Sequence, residues 1–160
     1  MLFRSPGSDY SILFSGVSNI VLKDLQINCT TGGNWTKILS IVNGSIVTLS
    51  DLSVSMSGNS GILINTSNGS ITNASNISTS GSCDRIINVE SYGQFVYADG
   101  GSLSTTSSAG TVPLYIDCSY ARIAGVSLSG TWSYSVLNNA VLVKTTTSIS
   151  GTTTRGGQVQ

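Results

Sequence analysis

The chain contains no histidine, and Pro6 and Pro113 are the only prolines among its 160 residues. Without imidazole, a Ser-His-Asp triad and a Cys–His zinc site are both excluded. Charge is equally scarce. Lys and Arg total 7, Asp and Glu total 7, charged residues make up 9%, and the formal net charge is zero. Cations this few and scattered give no electrostatic footprint for nucleic acid or for an anionic membrane surface. No apolar run approaches the length of a bilayer span. The opening Met1-Leu2-Phe3-Arg4-Ser5-Pro6-Gly7 lacks the apolar stretch of a secretory signal. Helical periodicity is missing throughout. Cys29, Cys83 and Cys118 are an odd set of thiols without metal-ligand spacing, so they read as small buried hydrophobes rather than a disulfide framework. The composition therefore points to no metal and no cofactor.

What the sequence does have is repetition. Gly44-Ser45-Ile46-Val47-Thr48-Leu49-Ser50-Asp51-Leu52-Ser53-Val54 is echoed by Gly69-Ser70-Ile71-Thr72-Asn73-Ala74-Ser75-Asn76-Ile77 and by Gly93-Gln94-Phe95-Val96-Tyr97-Ala98-Asp99-Gly100-Gly101-Ser102-Leu103. Ile20 to Ile27 and Ile123 to Leu128 fit the same frame. A period of about 24 to 28 residues signals stacked supersecondary units rather than one folded-over globule. Ser, Thr, Gly and Asn fill the polar positions, and they alternate with Val, Ile and Leu at period two, the strand signature.

Each repeat carries a long and a short strand segment. The short ones are Ile12-Leu13-Phe14, Ile38 to Ile41, Ile62-Leu63-Ile64, Ile86 to Val89, Leu114-Tyr115-Ile116 and Val141-Leu142-Val143. Ser15-Gly16, Asn43-Gly44, Asn68-Gly69 and Tyr92-Gly93 follow as sharp corners, where Gly and Asn accept positive backbone dihedrals. The expected fold is all-β: a single-stranded parallel β-helix, or β-solenoid, of about five to six coils. With strands about 4.8 Å apart, it forms a rod roughly 25 Å long. Residues 1–160 read as one domain that begins in mid-pattern, as a piece of a longer fibre or spike would, with 145–160 as a last partial coil. The connections Asn28 to Thr36, Ser104 to Val112 and Ser129 to Asn139 are the long ones, and insertions in repeat arrays tend to gather on one face that binds.

Irregular coils, Asn-Gly corners, low charge and Ser/Thr/Asn faces resemble the right-handed parallel β-helices of the pectate-lyase type, and among them bacteriophage tailspike and tail-fibre proteins. The likeness spans nearly the whole chain but rests on pattern rather than a diagnostic motif. It implies a virion protein, a homotrimer contacting other tail proteins. It also implies recognition of bacterial surface glycan, lipopolysaccharide or capsule, with or without cleavage. No nucleic acid or membrane insertion is implied.

Several residues carry candidate chemistry. Asp24, Asp51 and Asn76 share one register at the bend of the long segment, with Gly100 next; they form either a Ca²⁺-type oxygen cluster or a stacked Asx ladder, and Asp/Asn interchange favours the ladder. Glu90, Asp117 and Lys144 form a second column, with Asn65 one coil earlier. Glu90 and Asp117 on adjacent coils suit the about 5–5.5 Å carboxyl spacing of a retaining glycosidase. The competing reading is a solvated charge column in which Lys144 pairs with Asp117. Asp84 and Asp99 are isolated, while Arg85, Arg122 and Lys144 are possible contacts for acidic sugars.

Trp35, Trp132 and Tyr134 lie in the long connections, and Tyr92, Tyr97, Tyr115 and Tyr120 gather in the second half. Rings with polar handles suit partly wet contact surfaces. This makes Trp132, Tyr134, Trp35, Tyr115 and Arg122 the expected glycan contacts, unless the rings pack loops onto the rod or fill a trimer interface. Asn28, Asn34, Asn43, Asn65, Asn68, Asn73 and Asn76 each begin an Asn-x-Ser/Thr sequon, which would mean a glycosylated face in a secreted eukaryotic protein, although Ser/Thr abundance and the repeat itself favour chance occurrence. The functional readings are a structural and host-recognition segment of a tailspike or fibre, a polysaccharide depolymerase using Glu90 and Asp117, and a bacterial or eukaryotic solenoid adhesin. An ice-binding solenoid fits poorly, because Thr-Thr-Thr at 145–147 and 152–154 is no regular array.

Overall fold

In a computed structural model of the chain, the structure describes residues 2–3, 12–29, 37–105, 112–130, 132–145 and 149–160. The first eight strands are β1 (Leu2–Phe3), β2 (Ile12–Ser15), β3 (Ile20–Lys23), β4 (Gln26–Cys29), β5 (Lys37–Val42), β6 (Ile46–Thr66), β7 (Ile71–Glu90) and β8 (Gln94–Tyr97). The rest are β9 (Gly101–Thr105), β10 (Leu114–Asp117), β11 (Tyr120–Ile123), β12 (Ser127–Gly130), β13 (Ser133–Leu137), β14 (Val141–Lys144), β15 (Ser150–Thr154) and β16 (Gln158–Val159). They wind into a parallel β-solenoid of about five turns, with no helix among the described residues.

The first five coils present three faces, and the described residues of the last two coils contribute to the first two faces only. The first stacks β2, β5, the end of β6, the end of β7, β10, β13 and β15. The second stacks β3, the start of β6, the start of β7, β8, β11, β14 and β16. The third joins β4, the middles of β6 and β7, β9 and β12. All of these pairings are parallel. Among the described strands only β1 runs antiparallel, lying on β2 with Leu2 opposite Leu13.

Alternation explains the core. Phe14, Ile41, Thr66, Val89, Ile116 and Val136 stack in one inward column on the first face, and each is fully buried. Val47, Thr72, Phe95, Ala121 and Leu142 answer from the second face. Thr66 and Thr72 would leave two hydroxyls in this apolar interior, but their Oγ1 atoms hydrogen-bond each other at 2.7 Å. Pairing removes the penalty of a buried unsatisfied polar group.

The long segment bends where expected. Asp24, Asp51 and Asn76 have φ of 53°, 54° and 47°, and Gly100 and Gly125 continue the column at 74° and 64°. Small polar side chains and glycine tolerate this left-handed region best.

Three details of register differ from the sequence reading. First, the fourth corner is Ser91-Tyr92, with φ of 53° and 65°, rather than Tyr92-Gly93. Gly93 stacks instead with Ser45 and Ser70, where an added Cβ would come within 2.5 Å of the Thr66 carbonyl oxygen. The coil regains register because Asp99 is an extra residue at the next bend: Tyr97 pairs with Ala74, and Gly101 with Ile77. Second, Val141-Leu142-Val143 is not a first-face strand. It pairs with β11 on the second face, and Ser133–Leu137 takes the first-face place instead. The stretch Ser129 to Asn139 is therefore largely strand, not a long connection. Third, Lys144 stands opposite Ile123, so it leaves the Glu90/Asp117 column, whose next member is Leu137. Asn65 leaves it too, since it pairs with Asn88. A two-strand repeat with similar Ile/Val content on both faces gives the sequence no marker to tell them apart.

Candidate functional site

Strand pairing places Glu90 directly opposite Asp117 on adjacent coils of the first face. Parallel neighbours lie about 4.8 Å apart, so two half-buried carboxylates share one small area of surface. Asp117 also accepts a hydrogen bond from Asn138 Nδ2 at 2.6 Å, reaching across from the next coil.

The same outward side of the sheet carries a linked set of planar groups. Asn65 and Asn88 are register neighbours, and Asn88 Nδ2 donates to Asn65 Oδ1 at 2.8 Å. Both residues are fully buried, although strand alternation puts them on the opposite side of the sheet from the inward Thr66 and Val89. Arg85 Nη1 donates to Asn88 Oδ1 at 2.8 Å, and the guanidinium carbon lies 4.0 Å from the centre of the Tyr115 ring. A guanidinium over an aromatic face gains from the ring quadrupole. Burial pushes the Tyr115 phenol above its ordinary value, the neighbouring Asp117 carboxylate adds to this, and Arg85 opposes it. Tyr115 is thereby a neutral donor beside two carboxylates.

The backbone under Arg85 is adapted to this arrangement. Ile86 N and Ile87 N both donate to the Pro113 carbonyl, at 2.8 and 3.0 Å. One carbonyl facing two amides is the mark of a bulge, which re-aims the side chains beside it.

Sequence reasoning named Glu90, Asp117 and Tyr115, and the fold brings these together. It treated Arg85 as a loose cation, and it missed Asn88 and Asn138. The signal for Asn88 was its place opposite Asn65, visible only once the coils are in register. Asn65 begins a sequon, but a buried amide already bonded to Asn88 and to Ser67 Oγ at 3.4 Å is scaffold.

The other named residues lie elsewhere. Arg122 is on the second face, paired between Val96 and Val143. Trp132 is half-buried against the core, its indole N–H donating to the Ser129 carbonyl at 2.9 Å. Tyr134 stands in the inward column next to Leu114, and its ring packs where Gly151 leaves room: a Cβ there would fall 2.7 Å from the ring. Trp35 lies outside the described residues. Tyr97, grouped with the wet aromatics by sequence, is entirely buried. Asp51 accepts from Asn76 Nδ2 at 2.7 Å, with Lys23 Nζ 3.8 Å from Asp51 and 4.0 Å from Asp24. The column therefore binds itself along the stack, and its exposed ion pairs contribute little.

Comparison with family models, with curated proteins and with solved structures returned no match.

Proposed function

We propose that the chain is a structural and host-recognition segment of a phage tailspike or tail fibre, a rod that binds bacterial surface polysaccharide and works as a homotrimer. The observation that carries this reading is the Arg85–Tyr115 stack on a rigid sheet, set beside Glu90, Asp117 and the corner residue Asn138, with the buried Asn88 holding Arg85 in place. Amides, a phenol, a guanidinium fork and paired carboxylates are the polar groups that match sugar hydroxyls, and mounting them on strands fixes their geometry better than loops would. Low overall charge leaves hydrogen bonding and ring contacts, rather than long-range attraction, as the means of recognition. Combined Arg85→Ala and Tyr115→Ala replacement tests this reading: polysaccharide binding falls while the rod stays folded.

A second reading, a polysaccharide depolymerase, is favoured by one observation, the direct pairing of Glu90 with Asp117. Adjacent strands give a separation near the about 5–5.5 Å of retaining glycosidases, in which one carboxyl acts as acid and the other as nucleophile. Release of oligosaccharide from capsule or lipopolysaccharide that persists in Glu90→Gln removes that pair from consideration.

A further inference from the structure

The corner between the first and second faces is not uniform along the rod. In the fourth coil Ser91, Tyr92 and Gly93 join Glu90 to Gln94, and in the sixth coil Asn138, Asn139 and Ala140 join Leu137 to Val141. In the coil between them only Cys118 and Ser119 join Asp117 to Tyr120. That coil lacks the second corner residue. The result is a notch, two strand spacings or about 9.6 Å across, with Tyr92 on one wall and Asn139 on the other. The notch is a cavity of about 400 Å³ that Gln94, Ser119, Tyr120 and Asn138 also line.

Three features set this notch apart from a mere gap in packing. The stack puts Gly44, Gly69 and Gly156 at the corner position that Tyr92 occupies, and all have positive φ. A tyrosine at φ 65° accepts a backbone strain that glycine avoids, and such strain tends to persist where a side chain is needed. The Tyr92 side chain does nothing visible for the fold in return, since the residue is 79% exposed. Finally, Ser119 Oγ is buried at the notch and finds no hydrogen-bond partner among the described residues. Buried hydroxyls are ordinarily paired.

We infer that this notch binds one neutral pyranose unit of the polysaccharide, an inference that rests on the glycan reading above. The Tyr92 and Tyr120 rings offer apolar faces to the C–H face of the sugar, and the amides of Gln94, Asn138 and Asn139 meet its hydroxyls. Among the described residues no carboxylate or cation lines the notch, which is why the unit is neutral. Asn138 ties the notch to the first face through its bond to Asp117. It also lines a second cavity, of about 390 Å³, together with Leu137, Thr154 and Arg155. A saccharide chain seated there runs along the corner, parallel to the rod.

The test is binding of wild type, Tyr92→Gly, Tyr92→Phe and Tyr115→Ala to an array of purified neutral and acidic bacterial capsular and O-antigen polysaccharides, with thermal melts of each variant. The notch site predicts that Tyr92→Gly binds about tenfold more weakly while its Tm is unchanged or higher, because glycine relieves the corner. Tyr92→Phe keeps the ring and keeps binding. If Tyr92→Gly binds like wild type while Tyr115→Ala is impaired, the notch is overturned and the glycan reading stands. If wild type binds no saccharide on the array, both fall together.

Discussion

The Tyr97 hydroxyl accepts the Ile77 backbone N–H at 2.8 Å and in turn donates to the Gly100 carbonyl at 2.9 Å, wholly inside the solenoid. A phenol thus does the work of a backbone ladder bond at the bend of the fourth coil, where the extra residue Asp99 breaks the regular stack. Gly101 makes the arrangement possible, because a Cβ there would come within 2.7 Å of the hydroxyl. Tyr97→Phe is expected to strand the Ile77 donor and to destabilise the chain by about 1–3 kcal/mol. Urea denaturation of the two proteins measures this, and equal midpoints would show that the bond contributes nothing.

The register of the fourth corner makes a second expectation. Gly44 and Gly93 look alike in sequence, yet they serve different ends. Gly44 has φ 72° and open space around it, so Gly44→Ala costs about 1–2 kcal/mol of left-handed strain. Gly93 is needed for close approach to Thr66, and its alanine variant drives Cβ into backbone that has nowhere to go. Gly93→Ala is expected to lose more stability than Gly44→Ala in chemical denaturation. The reverse order would mean that Gly93 is a corner residue after all.

These two glycines show how much was legible. The all-β class, the parallel stack and the Asp24/Asp51/Asn76 bend follow from alternation and period, and they needed no structure. Coils that gain or lose single residues do not announce where the change falls. Gly93 falls in line with Gly44 in the sequence because Asp99 restores the count downstream. Val141–Val143 resembled a first-face strand because both faces bury β-branched residues in the same rhythm. The functional side suffered for the same reason. Glu90 and Asp117 were found as neighbours, but Lys144 was misplaced with them, and Asn88, Asn138 and the shortened corner at Cys118 emerge only from true register.

Thiol ionisation gives a pH expectation. Burial, with the nearby Asp84 charge adding, pushes Cys83 up to about 12 from an ordinary value of 9.0. A raised thiol value means that the folded state holds its proton more tightly than the unfolded state. The stabilisation is complete below pH 9 and is lost as pH rises through about 12. Cys29, Tyr97 and Tyr115 are shifted upward as well, chiefly by burial, and act in the same direction. Stability measured by denaturant titration is expected to fall across this alkaline range, and less steeply in Cys83→Ala. A slope identical in the variant would show that Cys83 is not protected by the fold.

Assembly follows from the proposed role. Sedimentation equilibrium is expected to give three times the chain mass, and a monodisperse monomer would count against a tailspike or fibre.

The most direct test of the whole account is polysaccharide binding by the first face. Wild type and an Arg85→Ala, Tyr115→Ala double variant are compared on a panel of purified bacterial capsular and lipopolysaccharide glycans, with circular dichroism to confirm an intact solenoid. Wild type is expected to bind at least one glycan, and the folded double variant to bind it about tenfold more weakly. Binding unchanged in the double variant, or no binding by wild type across the panel, would contradict it.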